Sequence, residues 1–309
     1  MKICITGGAG FIGSNIAERF IDEGYEVVII DNLSLGFIEN IPNGAKFYKM
    51  DINDDNLIDV FEQEKFDIVY HYAAQMSVRH SVSIPAEDAK TNIIGSLNVF
   101  ESSRKTNVKK IIFASSAGTV YGEQLEFPCT EDHPNSPISP YGVSKYSVEK
   151  YLEYYKNVFN INYTVLRYTN VYGRRQNPFG EAGVIAIFFL KMLKNEDTFI
   201  TGDGSITRDY IYIDDVVEAN VLALDPNLIG VFNVSTGIET TLLDIFDKLA
   251  KLTNYKKTKQ FVPFKIGEQK RSVCSFAKIN KQTGWYPKMP LDRGLEETYK
   301  YYLKKVMNS

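Results

Sequence analysis

Cysteine and histidine are scarce in this chain of 309 residues, and their scarcity excludes several classes of function. Cys4, Cys129 and Cys274 are odd in number and contain no C-x-x-C pair, which argues against a disulfide framework and against a zinc site. His71, His80 and His133 are too few for a multi-histidine centre, so no metal is expected. Excess charge of one sign is also lacking. The net charge of -3 gives no electrostatic case for nucleic acid or an anionic membrane. No apolar run approaches the length of a membrane span. Residues 1–6 read as a strand entering a glycine turn rather than as a signal peptide. There are no repeats, low-complexity segments or long linkers, and the cytoplasm is the expected compartment.

What is present is an ordinary globular composition, 44% apolar and 24% charged, in a length suited to one large or two intimately joined domains. Residues 2–6 form a short apolar strand that runs into Gly7-Gly8-Ala9-Gly10-Phe11-Ile12-Gly13 and a helix over 14–22. Gly24 ends that helix, and residues 25–30 form a second strand ending at Asp31. Glycines permit a tight turn and let backbone N–H groups approach a pyrophosphate at the helix N-terminus, while the acid can accept hydrogen bonds from ribose hydroxyls. Asp31 would repel a 2′-phosphate and no arginine directly follows it, so the expected cofactor is NAD rather than NADP.

The alternation continues with a strand over 45–50 ending at Asp51-Ile52, a helix over 53–64 and a strand over 66–72 ending in Ala73-Ala74-Gln75. Pro85 opens a long helix to about Lys105, and a strand over 109–114 ends in Ser115-Ser116-Ala117-Gly118-Thr119. The pattern predicts an α/β fold: a Rossmann-like doubly wound parallel sheet with a smaller C-terminal α/β substrate lobe. We assign 1–170 and 206–235 to NAD binding, and 171–205 and 236–309 to the second lobe.

After Pro128, Pro134, Pro137 and Pro140 comes Tyr141-Gly142-Val143-Ser144-Lys145. Residues four apart share a helix face, so the phenol and the ammonium stand one above the other. A free tyrosine is a poor base at neutral pH, and a cation held close favours its phenolate. Tyr141 and Lys145 are therefore the expected catalytic pair. Thr119, at a strand end where ligands bind in parallel sheets, is an expected contact.

These segments together resemble the extended short-chain dehydrogenase/reductases, and within them the nucleotide-sugar 4-epimerases of the UDP-glucose/UDP-galactose type. The resemblance rests on TGGAGFIG at 6–13, DNLSLG at 31–36, DI at 51–52, HYAAQ at 71–75, SSAGTVYG at 115–122 and YGVSK at 141–145. It continues through RYTNVYG at 167–173, GDGSITRDYIYIDD at 202–215 and GEQKRS at 267–272. It implies that Tyr141 is the acid/base and that Lys145 holds the nicotinamide ribose. It places Gly7, Gly10 and Gly13 under the pyrophosphate with Phe11 and Ile12 closing over it, Asp31 and Asn32 at the adenosine ribose, and Asp51 and Ile52 at the adenine. Gly36, Ala73, Ala74, Gln75, Asn92, Ser115 and Tyr168 complete the cofactor set. Ser77, Asn170 and Arg208 would meet the sugar diphosphate. Ala182, Val184, Ile185, Phe199, Lys265, Arg271 and Ser272 would form the nucleotide end and wall of the pocket. The resemblance further implies a UDP-sugar substrate and a homodimer joined by a four-helix bundle.

Two departures stand out. Ala117 occupies the position of the family's usual serine, so the hydroxyl that polarises the sugar oxygen is expected from Thr119 or, second, Ser116. Lys265 stands where an arginine is usual, giving charge without a bidentate fork. A 4,6-dehydratase would carry an Asp-Glu pair after the loop threonine, where Val120 and Tyr121 stand. A UDP-uronate 4-epimerase shares this loop and differs in its pocket. A non-catalytic NAD-binding regulator would need neither Tyr141 nor Lys145.

Overall fold

The structure is a computed structural model describing residues 1–179, 183–263 and 269–307. Seven parallel strands form its centre: β1 (Lys2–Thr6), β2 (Glu26–Asp31), β3 (Lys46–Lys49), β4 (Ile68–His71), β5 (Lys110–Ser116), β6 (Asn162–Tyr168) and β7 (Gly230–Val234). Their spatial order is β7-β6-β5-β4-β1-β2-β3, so the direction of winding reverses between β1 and β4. Strand side chains alternate between faces, and the core divides accordingly. Ile3, Ile5, Val27 and Ile29 pack on one face with Phe20 and Val216. Cys4, Val28 and Ile30 pack on the other with Phe61, Phe100 and Leu152. The doubly wound sheet expected from the alternation is what the chain adopts.

On the first face lies α1 (Phe11–Asp22); on the second lie α2 (Leu57–Glu64), a long helix over 85–105 with a π-helical turn at Lys90–Ile94, and α3 (Pro140–Phe159). Three two-stranded ladders lie outside the central sheet: Asn170–Tyr172 with Tyr210–Tyr212, Thr207–Arg208 with Thr240–Thr241, and Phe199–Thr201 with Gln260–Val262. Helices Val184–Leu193, Leu242–Thr253, Ala277–Thr283 and Leu291–Met307 pack around them.

Some boundaries differ from expectation for local reasons. The helix expected from residue 53 begins at Leu57, because Asp51 accepts from Asn53 N–H (2.8 Å) and Asp54 from Asp51 N–H (3.0 Å). Such side-chain bonds compete with the helix ladder. Asp214 and Asp215 do not cap their helix. It starts at Ile213 after Tyr212, and the Asp215 carboxylate instead accepts from Lys288 N–H (2.9 Å) and Met289 N–H (3.0 Å). A helix not anticipated, Val78–Ser83, is capped by Ser77 through His80 N–H at 2.9 Å.

Candidate active site

The crevice above β1 and β4, where the winding reverses, is the usual ligand position in such sheets. Gly7 closes β1 with φ at +70°, and a Cβ there would lie 2.5 Å from Ala73 N. A Cβ on Gly13 would lie 2.5 Å from Gly7 O, so only glycine lets α1 seat on the turn. A Cβ on Gly10 would meet only Gly7 O, at 3.1 Å, leaving a cradle over the N-terminus of α1. No side chain caps that terminus, which suits it to an anion.

Asp31 is buried, and its carboxylate accepts from Ala9 N–H (3.0 Å) and Leu33 N–H (2.8 Å). Burial pushes this carboxyl above its ordinary range, against the pull of those two N–H groups. Asn32 donates to Asp51 at 2.7 Å. Against the upward push of burial, bonds from Asn53 and Asn32 hold the Asp51 carboxyl below its ordinary value. Ile52 packs under Gly95, and Gly36 lies against Ala9. After β4, Asn92 accepts from Gln75 N–H and donates to Gln75 O, each at 2.9 Å, fixing the Ala73-Ala74-Gln75 rim. Phe11 and Ile12 stay half-buried at the first turn of α1. The glycine cradle, the uncapped helix terminus and the buried acid after β2 fit NAD.

The reactive end is built by α3 and the loop after β5. Pro140 opens α3, and Ser139 caps it by accepting from Gly142 N–H at 3.2 Å. Tyr141 is half-buried, and the Lys145 ammonium lies 5.7 Å from its ring centroid and 4.7 Å from that of Phe113. Lys145 donates to Ala114 O at 3.0 Å. Burial pushes Lys145 down to about 8, opposed by Asp88 and Glu149. The expected lowering of Tyr141 by Lys145 is not what the structure gives. Burial pushes the phenol well up, and Asp88 adds to the rise.

In the loop, Ser115 is committed, donating to Glu149 at 2.5 Å. Ser116 sits before the turn Ala117–Val120 and makes no capping bond. Ala117 is wholly buried with Tyr121, Cys129 and Cys274. The Thr119 hydroxyl is buried and has no hydrogen-bond partner. Its carbonyl packs so closely on α3 that a Cβ on Gly142 would sit 2.6 Å away. Thr119 is thus the hydroxyl-bearing loop residue whose backbone packs on the first turn of the tyrosine helix. Tyr168, by contrast, spends its hydroxyl on Tyr72 (2.6 Å) and Asn220 (3.0 Å).

Segments outside the central sheet supply the remaining candidates. Asn170 sits at the head of its ladder, its N–H donating to Asp209 O at 2.9 Å. Arg208 donates to Thr207 O (2.7 Å) and Gln269 O (2.9 Å). Arg271 is paired with Glu239 (2.7 and 2.9 Å) and lies 3.7 Å from the Phe127 ring centroid, so its charge is already balanced. Ser272 is buried, Val184 half-buried and Phe199 exposed, whereas Ile185 belongs to the core. Ser77 spends its hydroxyl on the helix cap. Ala182 and Lys265 lie outside the described residues.

Sequence reasoning missed three buried acids. Glu149 pairs with Arg167 (2.5 and 3.0 Å), both wholly inside. Asp209 accepts from Thr236 N–H (2.9 Å), Thr236 Oγ1 (2.6 Å) and Gly237 N–H (2.9 Å). Asp88 is described below. The signal for Glu149 was its place four residues after Lys145 on the buried stripe of α3; Asp88 and Asp209 had none.

A profile of the NAD dependent epimerase/dehydratase family matches residues 3–235. Among solved structures, the chain is similar to a UDP-glucose 4-epimerase with UDP-glucose from Thermotoga maritima, at 47% identity and TM-score 0.96, covering 99% of this chain and 100% of that one. It is similar to the Thermus thermophilus UDP-glucose 4-epimerase in complex with NAD, at 39% identity and TM-score 0.94, covering 98% and 99%. It also resembles a UDP-N-acetylglucosamine 4-epimerase from Methanobrevibacter ruminantium in complex with UDP-N-acetylmuramic acid, at 34% identity and TM-score 0.93, covering 98% of each chain.

Proposed function

The chain belongs to the NAD dependent epimerase/dehydratase family, and we infer that it is an NAD-dependent UDP-hexose 4-epimerase, interconverting UDP-glucose and UDP-galactose. One observation carries the reading: Tyr141 and Lys145 share the first turns of a helix, the ammonium 5.7 Å from the ring centroid, and the backbone of Thr119 packs against that same turn. At 120 and 121, where a dehydratase would need an acid and a base, stand a fully buried valine and tyrosine.

Bound in this crevice, NAD would supply reversible hydride exchange with the sugar's fourth carbon. The glycine turn, Asp31 with Asn32, and Asp51 with Ile52 would hold its adenosine end; Ala73, Ala74, Gln75 and Lys145 would hold the other. Tyr141 accepts the 4-hydroxyl proton and returns it to the same oxygen after the 4-keto sugar has turned over, so that the hydride comes back to the other face of the fourth carbon. Thr119 donates to the sugar oxygen as it becomes a carbonyl. Inversion needs a firm grip on the nucleotide and a loose one on the sugar, which Arg208 and Asn170 support by anchoring the diphosphate. Ser272 is a small residue at the position where the family resemblance places the pocket wall, which supports UDP-GlcNAc and UDP-GalNAc as further substrates of this reading.

The NAD-binding unit comprises 1–170 and 206–235, and the nucleotide-sugar lobe 171–205 and 236–309. Exposed Ile94, Val143, Tyr151, Tyr154 and Val158 on the helix over 85–105 and on α3 support a homodimer built as a four-helix bundle. Among the described residues no helix is long and apolar enough to cross a membrane. The three cysteines are unbridged, and we place the protein in the cytoplasm.

The test is direct. Purified protein incubated with UDP-glucose, without added NAD, should yield UDP-galactose by product separation. A dehydrated 4-keto sugar, or no conversion even with NAD supplied, would overturn the assignment.

A further inference from the structure

Asp88 is fully buried in the first turn of the helix over 85–105. One carboxylate oxygen accepts from Gln75 Nε2 (2.8 Å) and Asn92 Nδ2 (2.9 Å), and the other from Ser144 Oγ at 2.6 Å. These partners come from the cofactor rim after β4, from the π-helical turn and from the catalytic helix. All three donors are uncharged, so none cancels a carboxylate charge. Ser144 lies between Tyr141 and Lys145 in sequence. Glu149, the other acid facing Lys145, already carries Arg167 as its partner.

We propose that Asp88 is a positioning residue, the counter-charge that keeps Lys145 an ammonium and ties the Tyr141–Lys145 turn to the cofactor rim. The inference rests on the functional reading above. A lysine buried against Phe113 with one carbonyl acceptor loses its proton readily. The Asp88 carboxylate, held by a hydrogen bond from the residue just before Lys145, opposes that loss, and its pull on Lys145 stands beside the downward push of burial. It also opposes ionisation of Tyr141. The remaining charged groups nearby do not take its place. On α3, Glu149 is paired with Arg167; on β4, His71 is buried and burial holds it neutral, its value about 3. On the neighbouring turns, His80 pairs with Glu87 at 3.0 Å, and Arg79 and Lys90 complete the set.

Asp88→Asn removes the charge and keeps the shape, with the amide oxygen toward Gln75 and Asn92 and its nitrogen toward Ser144. In the NAD-loaded enzyme, the Lys145 step should fall by about one pH unit. It is read by NMR on protein carbon-labelled at lysine Cε and assigned with Lys145→Met. Both limbs of the pH–rate profile should move down together. Ser144→Ala deletes a bond but keeps the charge, and should leave the lysine step near its original position. An unmoved lysine step in Asp88→Asn overturns the proposal, as does an equal displacement in Ser144→Ala. Asp88→Thr, also neutral and compact, carries the same expectation if the amide does not fold. The lysine resonance is read without turnover, so loss of the epimerase reading and loss of this one are separable.

Discussion

At Tyr141, burial and the Asp88 charge act in the same direction, burial the more strongly. The phenol is held above its ordinary range. Lys145, pushed down to about 8, has its titration near working pH. Loss of the phenol in Tyr141→Phe should leave thermal stability and NAD binding close to those of the parent while abolishing most turnover in a product assay. Thr119 has a buried hydroxyl with no internal partner, so Thr119→Val loses nothing structural at that atom. Turnover should fall by roughly 10²-fold, the scale of one polarising donor, and Ser116→Ala should cost less. The opposite ranking in steady-state assays would transfer the role to Ser116. At Ser272, replacement by tyrosine should abolish turnover of UDP-GlcNAc and spare that of UDP-glucose; equal loss of both would show that this residue is no gate.

Strand β4 carries its own pH sensitivity. His71 stands wholly buried between Thr6 Oγ1 (2.7 Å) and Ser96 Oγ (2.8 Å). Burial pushes it from 6.5 down to about 3, with Lys145 adding to the fall. The unfolded chain takes this proton near 6.5 while the folded chain resists until about 3. Stability from His71 is therefore complete above 6.5 and is lost progressively as pH falls toward 3. Melting temperature against pH should fall across that window, and His71→Gln should flatten the slope. At the glycine turn the constraint is steric. Gly13→Ala puts a methyl 2.5 Å from Gly7 O, which is rigid backbone. NAD retention after purification should drop sharply, measured as bound nucleotide per chain.

At the scale of the whole molecule, the exposed apolar residues on the helix over 85–105 and on α3 set the expected assembly. Val158 is 58% exposed and Ile94 57%, on helices whose opposite faces are already buried in the core. Light scattering at micromolar concentration should report a dimer, and Val158→Glu should shift it toward monomer while the fold persists by circular dichroism. A monomeric parent protein would remove the bundle from the proposal.

Local pattern was enough for the sheet and the glycine turn that follows β1. Period-two apolar runs separate the two core layers, and glycine, alone in tolerating the contacts at 7 and 13, marks the turn without reference to anything distant. Tyr141 and Lys145 were legible because four-residue spacing is itself a helical contact. Whatever depended on segments far apart in the chain was decided only by tertiary packing. The Ser144–Asp88 bond spans 56 residues, and Arg271 meets Glu239 across 32. Nothing in either neighbourhood announces the other. The sign of the Tyr141 shift belongs here too: sequence shows which charges are neighbours along a helix, but desolvation is set by everything folded over it, and here desolvation is the larger effect.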